Sequence, residues 1–249
     1  MRERLLVICI VFFATACVFA KEACCKEMSV ERLMEKIAEK GSELESFSAN
    51  IMYSLTEDPE IFETTTIYTG TFNYLKTEQR QYAMIDFITR QEDELPVEDY
   101  HQRYVFDGVW LTRIDYQLKQ VNKDQLVPED EPEDVFKLIG EDFPLMGFSG
   151  TDRLSDRYDI EFEQSDDSRS YELNLTPKEQ SDVKYSEIRF VIDSGTLLPR
   201  SIKAVSSSDS SICDIQLDGS VINTELNEEI FKVEIPDDFT VSENKLEKK

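Results

Sequence analysis

The sequence predicts a mainly β protein of the α+β class, an antiparallel sheet accompanied by one amphipathic helix. Three observations predict it: an early stretch of helical period, an abrupt change to a period of two, and a long succession of aromatic and β-branched runs separated by tight turns. With strand following strand and few helices between them, the connections should be hairpins and not parallel crossovers.

The helix comes first. Val30, Leu33, Met34, Ile37, Ala38, Gly41 and Leu44 fall on one face, Ser29 is placed to cap the start, and Glu31 and Glu35 lie near the positive end of the helix dipole. It should end near Leu44 and lay its apolar stripe on a sheet. Immediately afterwards Phe47, Ala49, Ile51, Tyr53 and Leu55 alternate with Ser48, Asn50, Met52, Ser54 and Thr56, as a half-buried strand requires. Further strands are expected at 63–75, 81–89, 101–106, 109–116, 117–122, 158–164, 169–176, 184–193, 197–206 and 211–218. Asp107-Gly108 between Val105-Phe106 and Val109-Trp110 is a two-residue hairpin signal, because glycine accepts the positive φ of a primed turn. Asp193-Ser194-Gly195-Thr196 marks a second reversal.

One interruption breaks the meander. After an acidic loop from Val127 to Glu133, the runs Val135–Gly140 and Phe143–Phe148 are short and apolar, with Gly140, Gly147 and Gly150 where the backbone can bend. They read as one or two helical turns plus an irregular flap, or as a plug that completes the core.

The amino terminus carries Arg2 and Arg4 and then a nearly unbroken apolar run from Leu5 to Ala16, too short for a stable membrane span and suited to a signal peptide. Val18 and Ala20 occupy the positions read by a signal peptidase, so residues 1–20 are expected to be removed. The alternative uses Ala14-Thr15-Ala16-Cys17 as a lipidation box and leaves Cys17 acylated. The formal net charge of −25 repels nucleic acid and anionic headgroups. It favours solubility, and it would also suit docking on a basic partner. Beyond the signal peptide, Cys24, Cys25 and Cys213 remain. A bond from one of the first two to Cys213, or a small buried Cys213 with both others on a mobile leader, are both open.

Catalytic and metal chemistry find little support. His101 is the only histidine, the cysteines lack zinc or CxxC spacing, and Gly147-Phe148-Ser149-Gly150 does not match a nucleophile elbow. The acidic clusters Glu129-Asp130-Glu131 and Asp166-Asp167 lack the alternation of a calcium loop. No catalytic residue, metal or cofactor is expected.

Five segments in order carry a family resemblance: Gly70-Thr71-Phe72-Asn73-Tyr74, Phe106-Asp107-Gly108, Leu175-Thr176-Pro177-Lys178, Phe190 through Leu197, and Phe231 to Pro236. Together they resemble the LolA-like periplasmic lipoprotein carriers. The resemblance implies an incomplete β-barrel, a strongly bent antiparallel sheet with the helix and a short helical lid on its concave side. It implies a soluble chaperone that shelters lipoprotein acyl chains, with an inner-membrane releasing complex and an outer-membrane acceptor as partners, acting as a monomer in the periplasm. Strand alternation then nominates Phe47, Ile51, Tyr53, Tyr68, Phe72, Tyr74, Trp110 and Phe190 as cavity lining, with Gly70 a small position on the same face. Phe136, Leu138, Ile139, Phe143, Leu145, Met146 and Phe148 fall in the lid. The family usually places a basic residue, often Arg beside Pro, after the strand beginning at Gly70; here Lys76 aligns, followed by Thr77, with Arg80 four residues on, so a latch would differ. The expected division is 1–20 signal peptide, 21–28 flexible leader, 29–241 carrier domain and 242–249 charged tail. A lipid-occupancy sensor or an envelope interaction module of the same fold are alternatives, and lipidation of Cys17 would make a membrane-anchored acceptor.

Overall fold

The computed structural model describes residues 28–57, 63–133, 136, 151–164, 169–178 and 183–246. The expected signal peptide, all of the leader except Met28, and the lid residues Leu138, Ile139, Phe143, Leu145, Met146 and Phe148 lie outside them.

Helix α1 spans Val30–Ser42, and Ser29 caps it as its sequence position requires, its hydroxyl accepting from the Arg32 N–H at 3.3 Å. Leu33 and Ile37 are its buried face. The strands are β1 Ser46–Glu57, β2 Thr64–Lys76, β3 Gln81–Glu92, β4 Glu98–Phe106, β5 Trp110–Asp115, β6 Gln120–Gln125, β7 Tyr158–Gln164, β8 Ser170–Pro177, β9 Tyr185–Asp193, β10 Pro199–Ser206, β11 Ile212–Ile222 and β12 Thr240–Asn244. Every expected strand forms. The stretch expected at 117–122 begins at Gln120, because Asp115 Oδ1 accepts from the Leu118 N–H and holds the turn open until Lys119.

All twelve strands belong to one curled, unclosed sheet in the order β12-β6-β5-β4-β3-β2-β1-β11-β10-β9-β8-β7. Two meanders, β1–β6 and β7–β11, are joined where β1 pairs antiparallel with β11. Between Phe106 and Trp110 the turn forms on Gly108, with φ of 92°, while Asp107 Oδ1 accepts from the Val109 and Trp110 amides. In the reversal after β9, Asp193 Oδ1 takes the Gly195 and Thr196 amides, and the positive φ falls on Leu197, at 58°.

Three elements differ from the sequence reading. A second helix, α2, spans Thr151–Arg157 and buries Leu154. A 3-10 helix at Glu228–Phe231 docks on the outer face of β3 and β4, where Phe231 joins Met84 and Val105 in a small second core and Tyr82 O–H donates to Glu228 at 2.7 Å. From there the chain crosses to β12, an edge strand that pairs parallel with β6 and had no counterpart among the expected strands.

Candidate functional site

Cross-strand register stacks the inner face in rows. Phe47 opposes Tyr74, Tyr74 opposes Ala83, Ala83 opposes Phe106 and Phe106 opposes Leu111. A second row runs from Ala49 through Phe72 and Ile85 to Tyr104, and a third begins with Ile51, Gly70 and Phe87. Tyr53 opposes Tyr68 above them. Because side chains alternate with a period of two, each row points to the same side of the sheet. The second meander adds Leu173, Leu175, Ile188, Phe190, Ile192, Ile202 and Ile215, and the two sets pack into one continuous core.

The rings interlock. Phe47 and Phe72 centroids lie 5.7 Å apart, Tyr53 to Tyr68 6.1 Å, Tyr68 to Phe87 5.4 Å and Tyr68 to Tyr100 5.4 Å. Tilted pairs at this spacing gain about 0.5–1.5 kcal/mol beyond area burial. Helix α1 covers the face with Leu33 and Ile37, α2 with Leu154, and Phe136 stacks on Tyr74 at 4.9 Å. Between Met34, Ile37, Leu154, Leu173, Leu175, Phe190 and Ile192 about 10 Å³ of free space remains.

Of the eight residues expected to line a cavity, seven come together here: Phe47, Ile51, Tyr53, Tyr68, Phe72, Tyr74 and Phe190. Trp110 does not. Its neighbour Leu111 is the inner residue, so Trp110 faces outward, where the Lys123 ammonium sits 5.1 Å from its ring centroid. Lys76 Nζ donates to the Ser42 carbonyl at 3.2 Å, at the negative end of α1. Arg80 closes the β2–β3 turn through its backbone, its carbonyl accepting from the Thr77 amide at 2.8 Å.

Cys213 lies buried in β11 as a free thiol against Tyr53, while Cys24 and Cys25 fall outside the described residues. Burial pushes the Cys213 thiol up to about 12, against the hydrogen bond from Tyr53, and burial likewise raises the Tyr53 phenol, with Cys213 adding to it. Such a thiol is neutral and poorly nucleophilic.

The outer face carries a charged network on β3 and β4. Arg103 donates to both Asp86 carboxylate oxygens, Nη2 to Oδ2 at 2.7 Å and Nε to Oδ1 at 3.1 Å, and His101 Nε2 lies 2.9 Å from Oδ1. Partial burial works against ionisation of Asp86, yet these bonds and the Arg103 charge hold it below the usual carboxylate range. His101 stacks on Tyr116 at 3.8 Å. Imidazole, carboxylate and guanidinium satisfy one another here, and among the described residues no His, Cys, Asp and Glu cluster could hold a metal ion.

No family model matches the sequence, and no curated protein does. Solved structures do. The chain is similar to an uncharacterized conserved protein from Thermus thermophilus, with a TM-score of 0.48 and 10% identity over 87% of this chain and 100% of that one. It is similar to a chain of the Pseudomonas aeruginosa MucA/MucB complex at a TM-score of 0.44 and 12% identity, covering 81% of this chain and 60% of that chain. A LolA superfamily protein from Nitrosomonas europaea is also among its structural neighbours, at a TM-score of 0.35 and 14% identity over 80% of this chain and 97% of the other.

Proposed function

We propose that this protein is a periplasmic, monomeric lipid-binding chaperone that shelters the acyl chains of a lipoprotein against its concave face and passes them between membrane partners. The supporting observation is the contiguous apolar inner surface of a sheet that does not close, lined by Phe47, Phe72, Phe190 and their neighbours. Each acyl methylene taken from water onto such a surface is worth about 0.8 kcal/mol. A pocket for a lipid-sized ligand needs on the order of 300 Å³ or more. Between α1, α2, β8 and β9 only about 10 Å³ is free, so acyl chains entering there must displace the cover to which α2 and Phe136 contribute. On this reading the arrangement is a closed form, in which the inner rings pack on helix side chains until acyl chains replace them.

The small free volume beneath α1 and α2 favours a second reading, an envelope interaction module whose core is permanently filled. Native mass spectrometry of protein purified from its own envelope separates the two. The carrier reading expects a co-purifying acylated mass and displacement of a fluorescent fatty acid by it. Absence of both leaves the filled module. Intact mass of the amino terminus tests the soluble form: a chain beginning at Lys21 fits a carrier, and a diacylglycerol on Cys17 fits an anchored acceptor.

A further inference from the structure

The β3–β4 hairpin holds large apolar side chains out in water. Ile88, Leu95 and Val97 are 56%, 59% and 61% exposed, so three of the eight exposed large hydrophobics among the described residues lie within ten residues of chain. No packing within the described fold rewards this exposure, and yet the loop is firmly built.

Asp93 adopts the left-handed region at φ of 49°, unusual for a side-chain-bearing residue, and is tied both ways to β2: its N–H donates to the Thr65 carbonyl at 2.8 Å, and its Oδ1 accepts from the Thr65 N–H at 2.7 Å. Arg90 bridges the base, pairing with Glu92 on its own strand at 2.6 Å and Glu98 on the next at 3.5 Å. The Leu95 N–H donates to the Glu92 carbonyl at 3.0 Å, Gln91 Nε2 donates to the Leu95 carbonyl at 3.0 Å, and Pro96 fixes the backbone between Leu95 and Val97. A tip ordered before any encounter loses little entropy on association.

Its collar selects the partner. Glu92, Asp93, Glu94, Glu98 and Asp99 flank the apolar pair along the chain, and Arg90, the one cation between 88 and 99, is already committed to two of them. Anionic bilayers are repelled by these carboxylates, whereas an apolar pocket rimmed with lysine and arginine is complementary to them. We propose that the hairpin tip, led by Leu95 and Val97, is a docking knob for a partner protein presenting a basic-rimmed apolar pocket. The inference uses no residue of the concave face and holds whichever reading of that face is right.

The test places photo-reactive benzoylphenylalanine at position 95 of the full chain, with position 242 on exposed β12 as control, and irradiates the protein in its own envelope. The protein found in the adduct is purified and titrated with wild type and with the Leu95→Ser/Val97→Ser variant, whose circular dichroism should be unchanged because both side chains are exposed. The expected result is a protein adduct at 95 that is missing at 242, with affinity about tenfold or more weaker in the variant. Affinity should also fall as salt is raised from about 50 to about 500 mM. An adduct to lipid alone, no adduct, an unchanged affinity in the variant, or salt-independent binding each overturns the proposal. So does binding to phosphatidylglycerol vesicles that the variant loses, which would assign the tip to membrane.

Discussion

The carbonyl oxygen of Asp86 lies 1.9 Å from where a Cβ on Gly70 would sit. The register of β2 against β3 shifts between Thr69 and Gly70, and the irregularity presses the β3 backbone onto the glycine. Gly70 is therefore a point of close approach and not a vacant spot beside Phe72. Bulk added there meets main chain before it could reach ligand space.

Replacing Gly70 with alanine should cost about 2–3 kcal/mol, read from the midpoint of urea unfolding, while the β-rich circular dichroism spectrum persists. Leucine at the same position should fail to fold. An alanine variant as stable as wild type would mean that the two strands separate at little cost, contrary to the packing described.

Lys76 holds the carboxyl end of α1. Its bond to the Ser42 carbonyl is exposed, so Lys76→Met should lower stability by less than about 1 kcal/mol. Fatty-acid affinity and release rate should not move. A many-fold change in release at unaltered stability would assign the latch role to this residue.

Alkaline pH should destabilise the fold through β1 and β11. The Cys213 thiol is held at about 12 by burial, well above the roughly 8.5 expected of an unfolded cysteine. Between those values the folded state binds more protons than the unfolded one, so stability is full below about pH 8.5 and falls as pH rises, by up to about 1.4 kcal/mol per unit. Tyr53 acts in the same direction. Guanidinium unfolding at pH 7 and pH 10 should show the loss, and Cys213→Ala should flatten it. A variant with the wild-type pH slope would place the alkaline sensitivity elsewhere.

How far the chain could be read depended on whether a signal was local. Ser29, Leu33 and Ile37 announce α1 because cap and stripe lie within two turns, and the strict alternation from Phe47 to Leu55 announces β1. Alternation fixes faces only relative to neighbours, and the weight given to an aromatic ring misplaced Trp110. Register supplies the correction: Phe106 pairs with Leu111 across residues 107–110, which sends Trp110 outward. Strand β12 was not legible, since Thr240–Asn244 are all exposed and show no buried face. Its pairing is fixed by distant contacts, the Thr240 N–H donating to the Lys119 carbonyl at 2.9 Å and Lys119 bridging Asp238 at 2.6 Å. Helix α2 is seven residues long, with Leu154 its one buried residue among those described, so no stripe could develop.

Phe136 offers the sharpest separation of a movable cover from a permanent plug. Its ring lies 4.9 Å from Tyr74 and is 3% exposed, so Phe136→Ala removes a large side chain directly above the proposed acyl surface. Both readings expect a loss of about 3 kcal/mol or more, because truncation of a buried phenylalanine leaves a cavity. They divide over what enters it. If the cover moves, the variant should bind a fluorescent fatty acid faster and more tightly than wild type, since ligand no longer competes with the ring for the Tyr74 face. With a permanently filled core, neither protein should bind the probe, and the variant should only unfold earlier. Stopped-flow binding under conditions where circular dichroism shows both proteins folded distinguishes these outcomes. An unchanged association rate in a variant that still binds would remove Phe136 from the path of entry.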